Sequence, residues 1–175
     1  MFKAPIALTK IIRPIKFRLE MTMPSFKSMW MWPEEEKVSC AHIESMISAA
    51  IREVYRRKRD ISPYAMAIIL GAFGEALGNA SEHGNKSWTR KKIVVRCWFG
   101  EKGIIFSFRD EGSFFKKMKN KKAVESRTIL SSTKKDPSGG GMALIYNADE
   151  VFVSTRQNTL YLVFTDVLSQ TAERK

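Results

Sequence analysis

The chain has 175 residues, the size of one globular domain, and its 44% hydrophobic and 27% charged content exclude a wholly disordered polymer. The longest apolar run, residues 65–73, falls far short of the ~20 residues of a membrane span, no small-residue cleavage site follows the basic N-terminus, and two cysteines make no disulfide framework, so a reducing cytoplasm is expected. Thirty Lys and Arg against eighteen Asp and Glu leave a formal charge of +12, which favours an anionic partner such as nucleic acid, nucleotide phosphate, acidic protein or a membrane surface.

In chain order, residues 1–14 read as a loose basic leader. Residues 15–21 alternate, with Ile15, Phe17, Leu19 and Met21 against Lys16, Arg18 and Glu20, the period of a half-buried strand. Residues 22–37, with Pro24, Pro33 and three successive glutamates, read as a connection. Residues 38–58 carry Ile43, Met46, Ile47, Ala50, Ile51 and Val54 at helical spacing. Ser62 and Pro63 open a second helix as N-cap and first residue, apolar nearly all round and closing near His83 and Gly84, with Gly84 expected in the left-handed conformation.

Residues 93–99 and 104–108 read as strands of a hairpin turning at Gly100–Gly103. The stretch 111–138 has no sustained period, and from Lys116 to Lys135 it sets seven lysines and Arg127 against the single acid Glu125. Residues 142–148 suit a helix entered through Gly139, Gly140 and Gly141. Residues 151–155 and 159–164 suit a last hairpin around Gln157 and Asn158. Helices gathered early and strands late predict an α+β fold of two layers: a mixed, mostly antiparallel sheet with helices on one face. One domain is expected over residues 15–168, with a tail at 169–175.

Three segments carry chemistry. Glu75, Asn79 and His83 stand at i, i+4 and i+8, in a row on one helix face. A carboxylate one turn from a carboxamide, late in an apolar helix, is costly unless that face meets something polar. Mg²⁺ fits, since it takes few protein oxygens and shares phosphate oxygens. The plainer reading is an ordinary polar helix end, with His83 complementing the dipole. Asp110 ends a strand and is followed two residues later by Gly112, either a simple turn or a carboxylate placed to accept from an amino group such as that of adenine. The glycines 139–141 before Met142 offer free backbone N–H groups to phosphate, or form a linker.

In this order and spacing the segments resemble the Bergerat-fold (GHKL) ATP-binding domain. Glu75, Asn79, His83 and Gly84 look most like the anti-sigma factor serine/threonine kinases of bacteria, as does the ending Asp149, Glu150, Val151. The resemblance spans residues 15–165 and implies ATP and Mg²⁺ as cofactors. It implies that Asn79 holds Mg²⁺, Glu75 is the catalytic base, and Asp110 binds the adenine amino group with Gly112 letting the base approach. Gly139, Gly140, Gly141 and Met142 would shape the phosphate turn, with His83 in the same site and 113–138 as lid.

It implies as substrate a STAS-type anti-sigma antagonist phosphorylated on serine or threonine, and a sigma factor as second partner. A homodimer is compatible, with Trp30 and Trp32 as apolar candidates. The chain departs from the family pattern at Phe114, where the second box usually ends in glycine, and at Asp136, Pro137 and Ser138, where many such kinases place an arginine. Lys134 or Lys135 is the candidate for the missing charge. These departures keep a second expectation open, a nucleotide-gated binding module without efficient turnover. A third, attachment to nucleic acid, draws on Trp88 and Trp98 among Arg90, Lys91, Lys92 and Arg96, although no nucleic-acid motif accompanies them.

Overall fold

The computed structural model describes residues 6–26, 34–55, 61–113, 145, 147–154 and 157–165. The elements are α1 (Ile6–Ile11), β1 (Ile15–Pro24), α2 (Glu34–Tyr55), α3 (Pro63–Asn79), a π-helical turn (Ala80–Gly84), β2 (Lys92–Gly100), β3 (Ile104–Asp110), β4 (Glu150–Ser154) and β5 (Thr159–Phe164).

The strands form one sheet in the order β1-β2-β3-β5-β4, and every pairing among the described residues is antiparallel. β1 continues to Pro24, three residues past the expected end. It lies at the sheet edge, where a residue lacking an N–H is tolerated. α2 begins at Glu34 rather than at residue 38, so the helix takes in the glutamates assigned to a connection.

Alternation along the strands divides the core in two. On one face Val95, Cys97, Phe99, Phe106, Phe108, Leu162 and Phe164 pack against Ile47 and Ile51 of α2 and Ile69, Phe73 and Leu77 of α3. Phe73 stands edge-on to Phe106 and Phe108, each ring centroid 5.1 Å away. The buried hydroxyl of Tyr55, at the end of α2, lies 2.6 Å from the Gly100 carbonyl and 2.9 Å from that of Gly103, tying the helix to the β2–β3 turn.

The opposite face buries Trp98, Ile105, Tyr161 and Val163 with Leu8 and Ile12. Residues 6–12 of the expected loose leader are therefore ordered: α1 and the residue after it supply apolar side chains to a sheet face that α2 and α3 do not reach. Trp98 is correspondingly enclosed in this second core and cannot stack a base. Trp88 is exposed, with Lys91 Nζ 5.3 Å from its ring centroid. No helix among the described residues is long and apolar enough to cross a membrane.

Candidate functional site

α3 begins where the sequence predicts. Ser62 Oγ accepts the Ala65 N–H at 3.1 Å, and Pro63 occupies the first turn, where its missing N–H costs nothing. From this fixed start the helix buries Ala72, Phe73, Ala76 and Leu77 and turns Glu75 and Asn79 to its half-buried flank. Asn79 Nδ2 donates to Glu75 Oε1 at 3.0 Å. That bond orients the amide and makes Oδ1, an oxygen of the type hard cations take, its other polar atom.

Burial is the main influence on Glu75 and raises its carboxyl above the ordinary range. The Asn79 hydrogen bond opposes the shift, the Glu82 charge adds to it, and the His83 charge opposes it. After Asn79 the backbone widens into the π-helical turn, in which His83 is exposed.

The π-helical turn brings Gly84 against the end of β3. Gly84 does not adopt a left-handed φ; no described glycine does. It is glycine for want of space, because a Cβ there would fall 2.5 Å from both Cγ and Oδ2 of Asp110. Gly112 closes the same contact from the other side, since its Cβ would sit 1.7 Å from the Gly84 carbonyl oxygen.

Asp110 is 5% exposed. Its Oδ1 accepts the Gly112 N–H at 2.7 Å and also the Asn158 side-chain amide. Oδ2 receives no hydrogen bond from any other described residue, leaving in a buried place an acceptor that suits a donor from outside the chain. Burial raises the carboxyl above its ordinary range, opposed by the Gly112 and Asn158 hydrogen bonds, the Lys91 charge and its own N–H.

The surrounding frame is a set of buried polar clamps. Asn85 accepts the Glu111 N–H at 2.8 Å and donates to Ser25 Oγ at 2.6 Å and to the Lys92 carbonyl at 3.0 Å. Ser81 Oγ stands 2.7 Å from both the N–H and the carbonyl of Phe26. These bonds fasten the end of β1, the π-helical turn and the exit of β3 to one another. Sequence reading gave none of Ser25, Ser81, Asn85 and Asn158 a role. Only the tight turn at Asn158 carried any signal, and that pointed to a hairpin.

The structure therefore brings Glu75 to Asn79, and Asp110 to Gly112 and Gly84, along one continuous path from α3 to the end of β3. Lys134, Lys135, Gly139, Gly140, Gly141 and Met142, with the lid from Phe114 to residue 138, lie outside the described residues. Of the helix expected at 142–148, Ile145, Asn147 and Ala148 are described, and the Ala148 N–H reaches the Ile145 carbonyl at 3.1 Å.

Both raised carboxyls make a stability prediction whose sign follows from linkage. A group with a raised folded-state pKa holds its proton more tightly when folded, so its contribution is favourable at low pH and is lost as pH rises through the folded value. Ionised Glu75 therefore costs stability at neutral pH. Glu75→Gln, which keeps an acceptor for Asn79, is expected to raise Tm at pH 7. Below about pH 4, where Glu75 is itself protonated, the two proteins should melt together. Thermal melts across pH 3.5–7.5 check this (about four units of pH spanning the carboxyl range).

The match to known families agrees with this frame. The sequence fits the histidine kinase-like ATPase domain over residues 38–164, from within α2 to the last residue of β5. No curated protein matches it. With more than half of its length inside that match, and an α+β sandwich of the corresponding kind, the chain belongs to the histidine kinase-like ATPase domain family, an ATP-binding fold.

Proposed function

We propose that the protein is a cytoplasmic regulator that binds ATP with Mg²⁺, phosphorylates a serine or threonine of a STAS-type anti-sigma antagonist, and in its other state holds a sigma factor. The observation that carries this reading is the Glu75–Asn79 pair, a raised carboxyl bonded to an oriented carboxamide on the helix that leads directly to buried Asp110.

The residues present fit the group. Asp110 offers a buried acceptor, Oδ2, to the amino group of adenine, and the close packing of Gly84 and Gly112 holds that acceptor in place. Asn79 offers an amide oxygen to a divalent ion, and its bond to Glu75 fixes the amide's orientation. Bound ATP with its ion supplies the transferable phosphoryl group and offsets its charge. Glu75 orients the attacking hydroxyl and accepts its proton, a task suited to a carboxyl whose pKa burial raises above the ordinary value. Gly139, Gly140, Gly141 and Met142 would hold phosphate oxygens through backbone N–H groups, and Lys134 or Lys135 would stand in for the absent arginine as a point charge.

The test is transfer of label from γ-labelled ATP to a STAS-type protein carrying the acceptor serine or threonine. Mg²⁺-dependent, stoichiometric labelling is the expected result. Tight ATP binding with no transfer would leave the nucleotide-gated binding module, the reading favoured by Phe114 in the place of glycine.

A further inference from the structure

Asn158 occupies the turn between β4 and β5 with φ 51°, a left-handed conformation for which glycine is the default residue. Asparagine tolerates that backbone, but it brings an amide with it, and here the amide is 1% exposed. Burying an amide is costly unless its hydrogen bonds are used. This one reaches across the sheet to a residue 48 positions earlier, donating to Asp110 Oδ1 and lying 3.5 Å from the Asp110 carbonyl.

We propose that Asn158 is a positioning residue of the nucleotide site, holding the Asp110 carboxylate in one plane so that the oxygen left open, Oδ2, is aimed at the exocyclic amino group of adenine. This rests on the ATP-binding reading and adds to it the residue that sets the direction of the acceptor that reads the base. Two donors, the Gly112 N–H and the Asn158 amide, converge on Oδ1. A half-turn of the carboxylate merely exchanges two equivalent oxygens, whereas any smaller rotation strains both bonds and meets the close approach of Gly84 to the side chain. Two donors on one oxygen thereby fix the plane of the carboxylate and the direction of its remaining acceptor.

Loss of the Asn158 donor acts on two observables. The orientation of Oδ2 loosens, which affects ligands carrying an amino group at that position and spares those carrying a carbonyl. The carboxylate also loses a hydrogen bond that favours its ionised form, so the acid limit of ATP binding moves to higher pH. The charged groups nearby are Lys91, which favours ionised Asp110, Glu111, whose carboxylate accepts the Lys92 N–H at 2.9 Å, and exposed His83 beside Gly84. None of these is altered by the substitution.

The test uses the full chain with Asn158→Gly, which keeps the left-handed backbone and removes the amide. Calorimetric titration with ATP and with inosine triphosphate, which carries a carbonyl in place of the amino group, is run from pH 5 to 8 (an interval bracketing a raised carboxyl). The expected result is about tenfold weaker ATP binding, little change for inosine triphosphate, and an acid limit displaced upward. Equal weakening of both nucleotides, or an unmoved acid limit with an unchanged ratio, overturns the positioning role. Should Asn158→Gly fail to fold, Asn158→Asp carries the same readouts, with a larger loss of ATP selectivity because it places a like charge beside Asp110. If the wild-type chain binds neither nucleotide, the ATP reading itself fails, an outcome distinct from wild-type binding that the variant reproduces.

Discussion

Asp110→Asn is expected to weaken ATP binding at least about a hundredfold while leaving the protein folded. The asparagine carbonyl can keep both bonds now made to Oδ1, from the Gly112 N–H and the Asn158 amide. Its NH₂ then stands where Oδ2 stood, so a donor faces the donor of adenine. A site built around a hydrogen bond loses far more from such a reversal than from a missing methyl group, because both partners are left buried and unpaired. The same change removes a carboxyl whose folded-state pKa is raised by burial, so at neutral pH an ionisation cost disappears. Calorimetry should therefore show lost binding alongside a Tm no lower than that of the wild type. Lost binding with a large fall in Tm would mark Asp110 as structural instead.

The second large effect concerns Glu75. Glu75→Gln is expected to lower phosphoryl transfer by roughly 10²–10⁴-fold, the usual range for a general base, while ATP affinity changes by less than about threefold. The expected separation has a structural reason. Glutamine retains an oxygen for Asn79 Nδ2, so the amide proposed to hold the ion stays oriented, and only proton acceptance is removed. Single-turnover transfer at saturating ATP, set beside an equilibrium titration, distinguishes the two effects. A variant that loses affinity and rate together would show Glu75 to be a binding residue. Together with the higher Tm expected of the same variant at pH 7, this places at the site a carboxyl carried at some expense to the fold.

Much of the architecture was legible because its signals are local. Alternation located β1, the hairpin signal around Gln157 and Asn158 located β5 with its bounds at residues 159–164 as expected, and Ser62 with Pro63 located the start of α3. The i, i+4 spacing of Glu75 and Asn79 anticipated their contact, since two residues one helical turn apart meet whatever else the chain does. What local pattern could not carry was anything decided across the fold. The π-helical turn sets Gly84 against the end of β3, and nothing in the composition of residues 80–84 marks it.

Gly84 looked like a helix terminator and is instead a spacer beside Asp110. Ser25, Ser81, Asn85 and Asn158 are ordinary polar residues in sequence, and their importance comes from partners up to 60 positions away. The leader misled for a related reason. Its lysines suggested solvent, whereas Leu8 and Ile12 complete a second core on the sheet face opposite α2 and α3.

In the proposed function the α3 flank and the end of β3 serve one adenine nucleotide. Hydrogen–deuterium exchange of the full chain, with and without ATP and Mg²⁺, tests it most directly. Slowed exchange is expected together in residues 75–84 and 110–112, with the turn at Gln157 and Asn158 responding through Asp110. Protection confined to one of these stretches, or found only elsewhere on the surface under conditions where ATP is bound, would contradict it.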